Sequence, residues 1–181
     1  MTMKILKDYG FPTNNKTYVI AEIGINHGGS LETAKSLIES ASKTGCDAVK
    51  FQTYITEKRA PEGNQAVYDL LKKCELPFTA FEELKRLSND LDLDFFSTPF
   101  DDESVDCLES IGVNLYKVAS FDVVNKALLK KIASTRKPII MSVGMANLAE
   151  IQSAYELITI DSKNLAILHC ISAYPTEEKD A

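Results

Sequence analysis

Ten side chains able to do chemistry stand at or just past the ends of short apolar runs: Glu22, Lys50, Gln52, Thr98, Lys117, Ser120, Asp122, Ser142, Ser172 and Tyr174. A charged group at the end of a buried strand is costly unless something uses it. Two ammonium groups, several hydroxyls and only two carboxylates suit an anionic substrate better than a metal cage, and can seat phosphate and carboxylate together. Bland readings exist beside this one. Lys50 and Lys117 could be structural partners of Glu22 and Asp122, Ser97, Ser120, Ser142 and Ser172 could cap the helices that follow, and Tyr174 could be loop packing. His27 lies beside this rim, whereas His169, inside an apolar run, reads as a satisfied core histidine.

Alternating strands and helices must position these groups. The stretch YVIAEIGINHGGS (18–30) reads as a buried strand, a glycine-rich tight turn and a helix start with Ser30 as N-cap. Leu31, Ala34, Leu37, Ile38 and Ala41 share one helical face before Gly45. CDAVKFQTY is a second strand, with Lys50 and Gln52 two apart and so on one side. A loop from Ile55 to Gly63 precedes helical patterns at about 66–74 and 78–91. Further strands are predicted at LDFFSTPF, VNLYKVAS, KPIIMSVGM and NLAILHCISAYPT, separated by helices capped by Asp101, near 125–134, and carrying Leu148, Ile151, Ala154, Tyr155 and Ile158. Residues 3–16 read as a polar lead-in, with a small hairpin expected.

Strict alternation implies right-handed crossovers and a parallel sheet. A doubly wound sheet concentrates polar groups at one switch point, whereas here nearly every strand ends in them, which favours an α/β fold of the (β/α)8 TIM-barrel type. Eight βα units need about 250 residues. With 181 residues the barrel is expected to be incomplete, holding about six of the eight units. Its open parallel edges predict a marginally stable or self-associating chain.

Composition narrows the function classes. A chain that is 45% hydrophobic and 25% charged has an ordinary globular make-up, and a net charge of −6 offers no electrostatic footprint for nucleic acid or an anionic membrane surface. The N-terminus lacks the features of a signal or transit peptide and no run is long enough for a membrane span, so a cytoplasmic location is expected. Cys46, Cys74, Cys107 and Cys170 are scattered without CxxC pairing and read as reduced, mostly buried thiols.

The blocks AEIGINHGGS (21–30), DAVKFQTY (47–54), FFSTPFD (95–101), YKVASFD (116–122), KPIIMSVGM (137–145) and LHCISAYPT (168–176) together resemble the sialic acid synthases, or N-acetylneuraminate synthases, a family that includes the legionaminic and pseudaminic acid synthases. The resemblance implies an enzyme that condenses phosphoenolpyruvate with N-acetylmannosamine or a related acylamino sugar and releases phosphate. It implies catalytic roles for Glu22, as acid/base, and Lys50. Phosphoenolpyruvate contacts would fall to Lys50, Thr98, Lys117, Ser120, Ser142 and Ser172, and sugar contacts to Glu22, Gln52, Asn64, Asp122 and Tyr174.

Two positions depart from the pattern. Asp122 stands where many members carry Glu, and Ser172 where the sialic acid enzymes often carry Asn. The family's divalent metal, Mn²⁺ or Mg²⁺, is held by two histidines on the last barrel strands, and an arginine from a partner subunit's antifreeze-like domain completes the sugar site. Residues 1–181 are therefore expected to be the N-terminal part of such a barrel, without metal ligands of their own, inactive alone, and homodimeric in the complete enzyme. Two other readings stay open: a non-catalytic binding or assembly module, and a Schiff-base aldolase using Lys50.

Overall fold

The computed structural model describes residues 17–60, 63–173 and 175–180; the expected lead-in hairpin and Tyr174 lie outside them. The chain divides into two compact units, Met1–Asn114 and Leu115–Ala181.

In the first unit, β1 (Ile20–Gly24), α1 (Leu31–Ser42), β2 (Ala48–Thr53), α2 (Thr56–Arg59), α3 (Gln65–Cys74), α4 (Phe78–Asp90), β3 (Asp94–Pro99) and α5 (Asp102–Ser110) follow in order. β1 pairs with β2 and β2 with β3, all parallel. The second unit repeats the scheme with β4 (Tyr116–Val118), a 3₁₀ turn (Ser120–Val124), α6 (Lys126–Ser134), β5 (Ile139–Ser142), α7 (Leu148–Thr159) and β6 (Leu165–Leu168). Again β4 pairs with β5 and β5 with β6 in parallel. Within each unit every strand is added beside the one before it, which is how a barrel wall grows; a doubly wound sheet reverses direction.

Polar side chains set the helix starts. Ser30, Asn64, Asp101, Asn125 and Asn147 each accept a first-turn backbone N–H. The serines at strand ends do other work, which overturns the capping reading where their bonds are described. Ser97 Oγ lies 2.7 Å from Thr53 Oγ1, and Ser120 and Ser142 bond as described below. Three outlines differ from expectation. The loop after β2 contains the short helix α2, β4 is only three residues long because the chain turns at Ser120, and β6 ends at Leu168. His169 therefore lies past the strand and is exposed, not a core histidine.

The core of the first unit sits between the sheet and its helices. Phe51 stacks on Phe95 with ring centroids 5.4 Å apart and on the His27 ring at 6.0 Å, and Ile38, Phe81 and Leu84 of the helices are buried as well. In the second unit Ile139 and Met141 are buried with Leu129, Ile132 and Ile158. All four cysteines are free thiols; Cys74 and Cys107 are buried, Cys46 and Cys170 half-buried. Burial pushes the Cys107 thiol up to about 11, so it is inert at neutral pH.

Candidate active site

Register puts the polar residues of the first unit on one face. Glu22 is the Cα partner of Lys50, and Gln52 of Thr98. Side chains alternate along a strand, so Lys50, Gln52 and Thr98 share a face, while Phe51 and Ser97 point to the helix layer. Lys50 is 6% exposed and its ammonium donates to Glu22 Oε1 at 2.8 Å. Burial lowers the Lys50 pKa, the Glu22 carboxylate pulls it back up, and the nearby Arg59 charge lowers it again. The structural pairing of Lys50 with Glu22 is thus real. The Glu22 side chain is nonetheless 57% exposed, so its carboxylate faces outward from a buried cation.

Beside this pair lie two buried polar atoms without a hydrogen-bond partner, Gln52 Oε1 and Thr98 Oγ1. Buried polar atoms are nearly always satisfied, and an exception calls for a ligand, water or ion. Gly24 permits the arrangement. β1 slips register between Glu22 and Gly24, and a Cβ at Gly24 would come within 3.3 Å of Glu22 Oε1 and 3.5 Å of Gln52 Nε2. Its φ of +56° is also one that glycine adopts freely.

The turn after β1 is held by its own backbone, with Asn26 N–H donating to Ile23 O, Gly28 N–H to Ile25 O and Ser30 N–H to His27 O. His27 is buried, and its Nδ1 accepts from the Gly29 N–H at 3.1 Å. Burial holds its pKa below the ordinary 6.5, opposed in part by the Gly24 backbone. His27 thus locks the turn from the helix layer. Asn64 is placed as the N-cap of α3, its side chain accepting from Val67 N–H at 3.2 Å.

In the second unit Lys117 Nζ donates to Ser142 Oγ at 2.6 Å and to the Val118 carbonyl at 2.7 Å. Ser120 Oγ accepts from the Gly144 N–H at 3.1 Å, so its own proton is directed elsewhere. Gly144 is another position that the sequence did not single out. A Cβ there would meet the Cys170 carbonyl oxygen at 2.6 Å and Ser172 Oγ at 3.0 Å. Asp122 is buried and its Oδ1 accepts from Asn125 Nδ2 at 3.3 Å, while Ser172 is exposed. This unit offers an ammonium and serine hydroxyls at the C-terminal ends of β4 and β5, which is suited to oxyanions.

Among the described residues no group of three or more His, Cys, Asp or Glu side chains converges as a metal site. No described helix is long and apolar enough to cross a membrane.

The NeuB family model matches residues 37–181. The chain belongs to the NeuB family. Among its relatives, the N,N'-diacetyllegionaminic acid synthase of Campylobacter jejuni is 39% identical over 88% of this chain and 53% of its own length. The pseudaminic acid synthase of Helicobacter pylori is 36% identical over 90% and 52%. The crystal structure of the sialic acid synthetase of Leptospira borgpetersenii matches with a TM-score of 0.89 and 38% identity, covering 92% of this chain and 58% of that one. This NeuB chain thus spans about half the length of the curated relatives it matches.

Proposed function

We propose that this chain is part of a nonulosonic acid synthase, which joins phosphoenolpyruvate to N-acetylmannosamine or a related acylamino sugar and releases phosphate. The observation that carries the reading is the buried Lys50 ammonium, held by Glu22, beside the unpartnered Gln52 Oε1 and Thr98 Oγ1. Names of relatives such as the legionaminic and pseudaminic acid synthases support it.

In this reading Lys50 and Lys117 neutralise the phosphate and carboxylate of phosphoenolpyruvate, and Thr98, Ser120, Ser142 and Ser172 donate hydroxyl hydrogen bonds to the same oxyanions. Gln52, Asn64, Asp122 and Tyr174 orient the sugar. C3 of the enol attacks the open-chain aldehyde carbon, whose oxygen takes up a proton. Water adds at C2 with loss of a proton, and the tetrahedral intermediate expels phosphate by cleavage of the C–O bond, leaving a 2-keto acid. Glu22, outward-facing yet hydrogen-bonded to Lys50, handles the proton at the aldehyde oxygen or the attacking water. A divalent cation, Mn²⁺ or Mg²⁺, and a homodimeric assembly are proposed for the complete protein. The described residues offer no ligand set for the metal.

A Schiff-base aldolase has one observation in its favour, since burial lowers the Lys50 pKa and so favours the free amine. The Glu22 carboxylate at 2.8 Å opposes it by holding the proton on Lys50. Incubating the complete protein with phosphoenolpyruvate, Mn²⁺ and a panel of acylamino sugars should release phosphate with at least one sugar. Borohydride trapping of a pyruvate adduct on Lys50 without phosphate release would replace the synthase by the aldolase, and binding without either reaction would leave a binding module.

A further inference from the structure

Arg59 is used by none of these roles. It ends α2, the short helix that leaves the C-terminal end of β2, and its guanidinium carbon lies 3.8 Å from the Phe100 ring centre and 4.5 Å from that of Tyr54. Those rings meet edge to face at 6.2 Å. Both are fixed to the strand ends. Tyr54 directly follows β2 and its hydroxyl donates to the Leu71 carbonyl, while Phe100 directly follows β3 and its N–H donates to the Thr53 carbonyl. Tyr54 is 3% exposed and Phe100 7%, so the corner that receives the guanidinium is rigid and apolar.

A guanidinium set against an aromatic corner is held in one orientation, and its N–H donors lie in its own plane, the plane that matches a carboxylate or phosphate. The corner belongs to the same strand ends that carry Gln52 and Thr98, each one residue before the end of its strand, β2 and β3. Arg59 also makes itself felt at Lys50, where its charge opposes protonation of the buried amine.

From this geometry we infer that Arg59 is a further anion-recognition residue, its guanidinium pre-oriented by Tyr54 and Phe100 to bind an oxyanion of the anionic reactant alongside Lys50. The inference rests on the reading of phosphoenolpyruvate as that reactant. The shared chemistry is an oxygen dianion or carboxylate, and phosphoenolpyruvate carries both.

Calorimetric titration of the complete protein with phosphoenolpyruvate, and in separate arms with inorganic phosphate and with pyruvate, tests it. Loss of a charge-assisted bidentate contact should weaken phosphoenolpyruvate binding by Arg59→Gln about tenfold to a hundredfold. The arm that weakens in parallel identifies the oxyanion. Arg59→Lys keeps a cation against the rings but lacks the fork, so it should hold the unfolding temperature near that of the parent while recovering only part of the affinity. Both variants binding phosphoenolpyruvate as tightly as the parent would overturn the inference, as would a parent that binds none of the three anions. A parent that binds phosphoenolpyruvate through Arg59 yet releases no phosphate with any acylamino sugar would remove the synthase reading and leave this one standing.

Discussion

Glu22 and Lys50 stand opposite one another on neighbouring parallel strands, and the ammonium of one donates to the carboxylate of the other at 2.8 Å. The pair is asymmetric, with the lysine buried and most of the carboxylate in solvent. That asymmetry separates their roles, since the buried member is fixed in place and the exposed member is free to exchange protons.

Removing either member therefore gives different signatures. Lys50→Ala should raise the KM for phosphoenolpyruvate in the complete protein, because the lost ammonium acts on the ground-state anion as well as the transition state. Glu22→Gln should mainly lower kcat. It should also destabilise the fold by roughly 1–3 kcal/mol, between the cost of breaking an exposed and a fully buried pair, because Lys50 stays buried without its counter-ion. Steady-state kinetics with urea unfolding of both variants reads this, and full rates in both would remove these residues from the site.

Gly29 is a structural test of the turn beneath that pair. Its φ is +83°, and a Cβ would run into the Lys73 backbone carbonyl of α3. Gly29→Ala should cost about 2–4 kcal/mol, the sum of a left-handed alanine and overpacking against backbone. A Gly28→Ala control meets nothing within 4 Å and should pay only the conformational part. Equal losses in the two variants would contradict the close approach.

Asp101 joins two segments through its two oxygens. Oδ1 caps α5 by accepting from Ser104 N–H at 2.7 Å, and Oδ2 accepts from Ile55 N–H at 2.7 Å just before α2. Asp101→Ala should destabilise by about 2–4 kcal/mol, a lost cap plus an unsatisfied amide. Asp101→Asn, which keeps an acceptor for the cap, should recover about half of that in thermal unfolding.

His27 gives the fold a pH dependence of defined sign. Burial lowers its folded-state pKa below 6.5, and Nδ1 must stay unprotonated to accept from Gly29. The unfolded chain thus binds the proton more readily. The contribution is present in full above pH 6.5 and is lost as pH falls below it toward the folded value. His27→Asn should flatten that slope in urea unfolding between pH 7 and 5. An unchanged slope would show that another group sets it.

The alternation of strand and helix was legible because apolar runs and capping residues agree at each boundary, as with Ser30 before α1 and Asp101 before α5. The pairing of Glu22 with Lys50 was also open to reading, since both end buried runs. Length misled at β6: the apolar run continues through LHC, but pairing with β5 stops at Leu168, leaving His169 exposed. The charged run Thr56–Arg59 gave no helical periodicity over four residues, so α2 read as loop. Arg59 was invisible for the same reason and for another. Its partner Phe100 is far away in sequence and comes near only when β2 and β3 pair. Gly144 looked like any strand-end glycine until the Cys170 carbonyl was seen above it.

In the proposed reaction the complete protein cleaves the C–O bond of phosphoenolpyruvate while joining it to an acylamino sugar. Phosphoenolpyruvate labelled with ¹⁸O at the bridging oxygen tests it most directly, with the released phosphate examined by mass spectrometry in the presence of the accepted sugar and Mn²⁺. The label is expected to leave with the phosphate. Phosphate released without the label, or no phosphate released with any acylamino sugar, would contradict it.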